Sequence, residues 1–176
     1  MAINSFANID YTLPNNSMTL LSTTTLTGAS VTLSSIPQTY NDLRIIVQAY
    51  RPSVDNEVLS MRVNSDSSGL YRQTLAYSDA GAAARTATDN RWELGFGNDN
   101  SVATGLCDFT IPNYANTSTW KMMYGFILTV NATTTTSFGD QTFRSMYRST
   151  NAVSSLLIYP FSGNFTSGTV LLYGVK

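Results

Sequence analysis

The sequence predicts an all-β protein, an antiparallel two-sheet β-sandwich that is jelly-roll-like. Three observations predict it. Short runs of β-branched and aromatic residues recur along the 176 residues between clusters of Gly, Asn, Asp and Ser. Several runs alternate apolar and polar side chains at period two, as a strand with one buried face requires. No stretch keeps a helical period with capping signals for three turns.

Taken in order, strands are expected near 30–36, 43–50, 58–63, 70–77, 92–96, 104–111, 119–131, 137–147, 153–160 and 168–175. In "LRIIVQAY", Leu43, Ile45, Val47 and Ala49 read as inward, with Arg44 and Gln48 on the opposite face. "NSDSSG", "FGNDNS" and "SGNFTSG" punctuate the strands as turns. "GAAARTATDN", from Gly81 to Asn90, has alanines but no apolar stripe, and reads as a long loop. In "LCDFTI", Cys107 alternates with Phe109 and Ile111 and reads as a small buried hydrophobe; as the sole cysteine it rules out an internal disulfide. "TWKMMYGFILTVN" reads as a central strand with Trp120, Met122, Tyr124, Phe126, Leu128 and Val130 inward. "VLLYGVK" is apolar on both faces, so the last strand is expected in the sheet interior. Residues 1–17 form a polar arm containing Phe6, Ile9, Tyr11 and Leu13, and 18–176 a single sandwich domain.

Composition narrows the function. Charged residues make up 12% of the chain, where ordinary soluble domains have roughly a quarter. Ser and Thr supply about a quarter, so hydroxyls dominate the polar surface. A net charge of -1 with scattered cations gives no basic face for nucleic acid or an anionic membrane. No apolar run approaches the length of a membrane span.

The absence of histidine removes Ser–His–Asp and Cys–His catalysis and histidine zinc sites. Two Glu and nine Asp, mostly in turns, do not converge, so no enzyme, cofactor or metal is expected. Asn64, Asp66, Ser68 and Gly69 resemble the start of a calcium loop, but residue 75 is Leu where the bidentate Glu belongs, and a turn is expected. The glycosylation triplets at Asn15, Asn116, Asn131 and Asn164 follow from composition. Trp92, Trp120, Tyr50, Tyr71, Tyr77, Tyr114 and Tyr147 raise the question of a sugar-stacking platform. Trp92 and Trp120 alternate with Leu94 and Met122 as core residues do, leaving Tyr114, in "IPNYANTS", as the ring expected to be exposed.

The segments "VNSDSSGLYRQT" (63–74), "IPNYANTSTWK" (111–121), "YRSTNAVSSLLIYP" (147–160) and "FSGNFTSGTVLLYGVK" (161–176) resemble recurring segments of small virion proteins of tailed phages, especially marine and cyanobacterial ones. "LLSTTTLTGASVTLSSIPQTYNDLRI" (20–45) is similar to them too, whereas Asn64-Ser65-Asp66 stands where such proteins often carry an Asn-Gly-Asp turn. The resemblance implies a particle-surface protein. A short chain without shaft, heptads or repeats fits a capsid decoration, or cement, protein on the outer capsid surface of the virion, binding the major capsid protein and itself as a homotrimer. The alternative is a receptor-binding or carbohydrate-binding module of a tail or head fibre. Expected partner contacts are Phe6, Ile9, Tyr11 and Leu13 of the arm, Ala83 and Arg85 of the 81–90 loop, and Tyr114. The arm either orders on a partner or packs along its own sandwich.

Overall fold

The computed structural model describes residues 18–77, 83–130 and 138–176, with the backbone alone for residues 77 and 83–89. Twelve strands and no helix occur among these residues: β1 (Met18–Thr25), β2 (Val31–Leu33), β3 (Asp42–Pro52), β4 (Glu57–Val63), β5 (Tyr71–Tyr77), β6 (Ala83–Asp89), β7 (Trp92–Asn98), β8 (Gly105–Pro112), β9 (Lys121–Val130), β10 (Phe138–Tyr147), β11 (Leu156–Pro160) and β12 (Phe165–Val175). They form an eight-stranded sheet, ordered β1-β12-β3-β8-β9-β10-β5-β6, and a four-stranded sheet, ordered β2-β11-β4-β7. Every pairing is antiparallel.

The quartets β1-β12-β3-β8 and β2-β11-β4-β7 have the strand order of a jelly roll, two Greek keys folded face to face. Hairpins β5–β6 and β9–β10 are additions that widen one sheet only. The wide sheet therefore has an outer face much larger than an eight-stranded jelly roll would present.

Between the sheets lies one core. Leu43, Ile45, Val47, Phe109, Ile111, Phe143 and Leu172 from the wide sheet meet Leu33, Leu59, Met61, Val63, Trp92, Leu94, Leu156 and Ile158 from the narrow one. Cys107 is buried as expected, and burial raises its thiol well above the ordinary range. At one end Trp92 meets the rings of Tyr71 and Tyr147 edge-on, at 5.6 and 6.3 Å between centroids. The phenol of Tyr147 donates to Asp66 Oδ2 at 2.5 Å. Asp66 Oδ1 also accepts from the Ser68 backbone at 2.7 Å, so the "NSDSSG" segment is a turn. Ser68 first, then Tyr147, holds the Asp66 carboxyl below its ordinary pKa.

Four expectations outside β9 are corrected. β1 is a strand that the sequence reading did not identify. The 81–90 "loop" contains β6, paired with β5 from Tyr71↔Asp89 to Tyr77↔Ala83. Its alanines satisfy the β-ladder through backbone bonds, which need no apolar stripe. Ala49 does not point inward: it is exposed with φ of 51°, and the register shifts between Val47 and Tyr50. That bulge carries Tyr50 into the core in its place. Opposite it, Gly168 has φ of 128°, and a Cβ there would lie 2.8 Å from Leu26 Cδ1, so only glycine fits.

The fourth correction is Tyr114, which is fully buried rather than exposed. Its phenol donates to the Pro37 carbonyl, and its own carbonyl accepts from Val153 N at 2.9 Å. Burial raises the phenol's pKa. Tyr114 is thus a tie between three chain segments and offers no ring to a partner. Tyr114→Phe should cost about 1–2 kcal/mol, the usual penalty for orphaning one buried acceptor, measured as a shift of the urea midpoint without a change in slope.

β12 lies between β1 and β3, so the last strand is internal to its sheet as its apolar pattern implies. Val170 and Leu172 face the core, while Leu171, Tyr173 and Val175 are half-buried on the outer side.

Candidate functional site

The outer face of the wide sheet is the candidate site, and β9 is its centre. The burial of β9 is the reverse of the sequence expectation. Lys121, Met123, Ile127 and Thr129 point inward, while Trp120, Met122, Tyr124 and Phe126 point outward with relative exposures of 52, 53, 54 and 36%. Close backbone packing enforces this choice. A Cβ on Gly125 would lie 2.3 Å from the Asp108 carbonyl oxygen, and one on Gly95 would lie 2.2 Å from Ile127 Cγ2. The face with the smaller and more polar set is the one that fits against β7.

The inward polar groups of β9 are satisfied at its ends. Lys121 Nζ donates to the carbonyls of Thr119 and Thr150 at 2.8 and 3.3 Å, and burial lowers its pKa. Next to the other end, Gln141 Nε2 donates to the Phe96 carbonyl at 2.8 Å and its Oε1 accepts from Phe96 N at 2.9 Å. These bonds remove most of the cost of facing the core.

Register defines what surrounds the exposed rings. One row across the sheet reads Leu20, Tyr173, Arg44, Thr110, Tyr124, Arg144, Thr74. The next row toward the start of β9 contains Met122, Met146 and Arg72. Arg44 holds Asp108 through two parallel bonds, Nε to Oδ1 at 3.0 Å and Nη2 to Oδ2 at 2.5 Å. That hydrogen bond is the main reason the Arg44 pKa is raised. Two shallow clefts flank Tyr124. One, of about 480 Å³, is lined by Met122, Tyr124, Met146, Arg72, Arg144 and Thr74 among others. The other, of about 280 Å³, is lined by Arg44, Asp108, Thr110, Tyr124 and Phe126 among others.

Chemically this face has the character of a binding surface. It offers half-exposed aromatic and Met side chains, adaptable in shape, beside guanidinium groups. The buried acids lie elsewhere and serve local structure. Glu93 accepts from Gln73 and Arg91, Glu57 from Val58 N and Ser162, and Asp99 from Ser101 and Val102. Among the described residues no group of three or more His, Cys, Asp or Glu is placed to hold a metal ion.

Of the expected contact residues, Tyr114 is in the core. Ala83 and Arg85 lie on β6, the last strand in the order of the wide sheet, with backbones opposite Tyr77 and Leu75. Phe6, Ile9, Tyr11 and Leu13 lie outside the described residues. Of the aromatic residues considered for a sugar platform, Trp92, Tyr50, Tyr71, Tyr114 and Tyr147 are core. Trp120 is exposed, contrary to its expected place in the core. The sequence reading missed Met122, Tyr124 and Phe126 as surface residues, along with Arg72 and Arg144 beside them. The available signal was Lys121, Gly125 and Thr129 on the alternate face, a set whose smallness matched an inward position.

The fold and this face define a class: a jelly-roll β-sandwich, widened on one side, whose broad sheet presents an apolar surface. Comparison with protein-family models, curated proteins and solved structures finds no match to this chain.

Proposed function

We propose that the protein is a structural component of a tailed-phage virion, a decoration protein that docks on the outer capsid surface and stabilises the shell through protein–protein contacts. The observation that carries this reading is the outward stripe of Trp120, Met122, Tyr124 and Phe126 on a broad sheet face. Contiguous exposed apolar surface of this kind marks an interaction site. Aromatic, Met and Arg side chains are the types enriched in protein interfaces. The sequence resemblance to small phage virion proteins supplies the setting, with the major capsid protein as partner and a homotrimer as the decorating unit. A protein that binds only the assembled state stabilises it by mass action, and many copies compound the gain.

The experiment is to mix the protein with undecorated capsids and count bound copies per shell by mass. Hundreds of copies in a lattice-set ratio support decoration; a dozen or fewer overturn it. Replacing Trp120 and Tyr124 together by Ala should weaken shell binding about 30-fold or more, because even one hot-spot aromatic contributes about 2 kcal/mol or more. Thermal stability should change little, since both rings are half in solvent.

A second reading, a carbohydrate-binding module on a phage fibre, is favoured by the exposed Tyr124 ring, whose backbone pairs with that of Arg144. It predicts saturable binding of a host surface glycan, lost in the same double variant, with no binding to empty shells.

A further inference from the structure

We propose, resting on the docking reading, that the partner protein seated on the outer face of the wide sheet presents an acidic side chain next to an apolar one, and that Arg72 and Arg144 hold its carboxylate. Register lays out the recess as two short rows across β9, β10 and β5: Tyr124, Arg144, Thr74 and, beside it, Met122, Met146, Arg72. The arginines therefore occupy diagonal positions about 7–8 Å apart at the backbone. Met146 is adjacent to both, and both line the same cleft. Neither has a hydrogen-bond or ion-pair partner among the described residues, and Arg72 Nη1 is buried without an acceptor. Two like charges this close repel each other. A carboxylate set between them relieves the repulsion and accepts charge-assisted hydrogen bonds from both.

The same face of a second copy does not supply that carboxylate. From β1 across to β5 the strands of the wide sheet carry three acids, Asp42, Asp108 and Asp140. Asp108 is held by Arg44 through two bonds, Asp42 Oδ1 accepts from Asn113 N at 2.9 Å, and Asp140 is not free. Two copies packed face to face would bring four arginines together without an open acid, a like-charge contact. The complement is an acid on a different protein.

The rest of the recess says what stands next to that acid. Met122 and Met146 are flexible and polarisable, and with the Tyr124 ring they suit an aliphatic or aromatic side chain. Thioethers are only weak acceptors, so this floor offers little to the hydroxyls of a sugar. Nucleic acid is a poor match too, because two arginines on a chain of net charge -1 make no basic tract. An acid flanked by an apolar residue, on a protein surface, satisfies both halves of the recess.

The test measures binding of the full chain to undecorated capsids for the parent and for Arg72→Gln with Arg144→Gln. The double variant should bind at least about 30-fold more weakly. Arg72→Lys with Arg144→Lys should recover part of that loss, since lysine keeps the charge without the planar fork. Added salt should weaken the parent more steeply than the Gln variant. The urea midpoint of the Gln variant should not fall, because neither side chain has a partner among the described residues. Arg51→Gln is the control, at the far end of β3 where Nε donates to Thr166 Oγ1 at 2.8 Å, and should bind as the parent does. A parent and a double Gln variant that bind shells equally overturn the proposal and leave the docking reading standing. Equal losses in Arg51→Gln and the double variant overturn it in favour of diffuse charge. A parent that binds no shell removes the docking reading and the proposal with it. Self-association of the full chain that is lost in the double Gln variant overturns it in favour of a second copy. Binding of trigalacturonate that is lost in that variant, with shell binding kept, overturns it in favour of an acidic glycan.

Discussion

Trp92→Ala should destabilise the protein by about 3–5 kcal/mol, whereas Trp120→Ala should lie within about 0.5 kcal/mol of the parent. The two tryptophans differ in what their removal leaves behind. Trp92, on β7 of the narrow sheet, is fully buried and packs edge-on against Tyr71 of β5 and Tyr147 of β10. Its indole N–H donates to the Met146 carbonyl at 3.3 Å. The neighbours cannot collapse into the vacated space, because both phenols are anchored. Tyr71 Oη accepts from Val63 N at 3.0 Å and donates to the Asp66 carbonyl at 2.9 Å, and Tyr147 is bonded to the Asp66 carboxylate. An unfilled cavity between the sheets is the result. Trp120 has half its surface in water already, and its loss leaves no cavity. At about 2–4 °C per kcal/mol for a chain of this size, Trp92→Ala should lower Tm by roughly 10–15 °C in calorimetry. A change of less than about 1 kcal/mol would contradict the central role of the Trp92 cluster.

The second large effect is alkaline unfolding. Burial, followed by the hydrogen bond to Asp66, pushes the Tyr147 phenol up to about 12. Burial raises Tyr71 and Tyr50 further, with the Tyr50 hydroxyl having no hydrogen-bond partner among the described residues. A phenol whose folded pKa lies above its unfolded value of about 10 stays protonated in the native state while the unfolded chain releases its proton. The stability this represents is complete below pH ~10 and drains away as pH rises through about 12, at up to ~1.4 kcal/mol per pH unit for each group. Three such groups amount to several kcal/mol, comparable with the whole stability of an ordinary domain. Tyrosinate absorbance should therefore rise in two stages, exposed rings first and the buried set only together with loss of the β circular-dichroism signal. A single smooth titration with the β signal intact would show that these rings are open to solvent.

The strands that were legible in the sequence are those whose two faces differ. β3 and β8 alternate Leu43, Ile45, Val47 and Cys107, Phe109, Ile111 against an opposite face that carries Arg44, Gln48, Asp108 and Thr110, and Leu43, Ile45, Val47, Cys107, Phe109 and Ile111 are all buried as expected. β6 was illegible because its stability comes from pairing with β5, a partner contributed by tertiary contact. Tyr114 misled because its flanking "IPN" and "ANTS" are turn residues, and turns ordinarily lie on the surface. Here the turn folds back over Pro37 and Val153, which gives the ring a carbonyl to bond.

The sequence by itself determined that this is an all-β sandwich held by packing without disulfides, with one buried thiol and no histidine chemistry. Only the tertiary structure decided which side of β9 faces water. Both faces of that strand carry apolar residues, and a period of two separates them without saying which is inside. The choice fell to space. Gly95 and Gly125 admit Ile127 and the β8 backbone at distances no side chain would tolerate, so the smaller set turned inward. Trp120, Met122, Tyr124 and Phe126 were left on the surface as a consequence, and the candidate binding face of the protein is made of them.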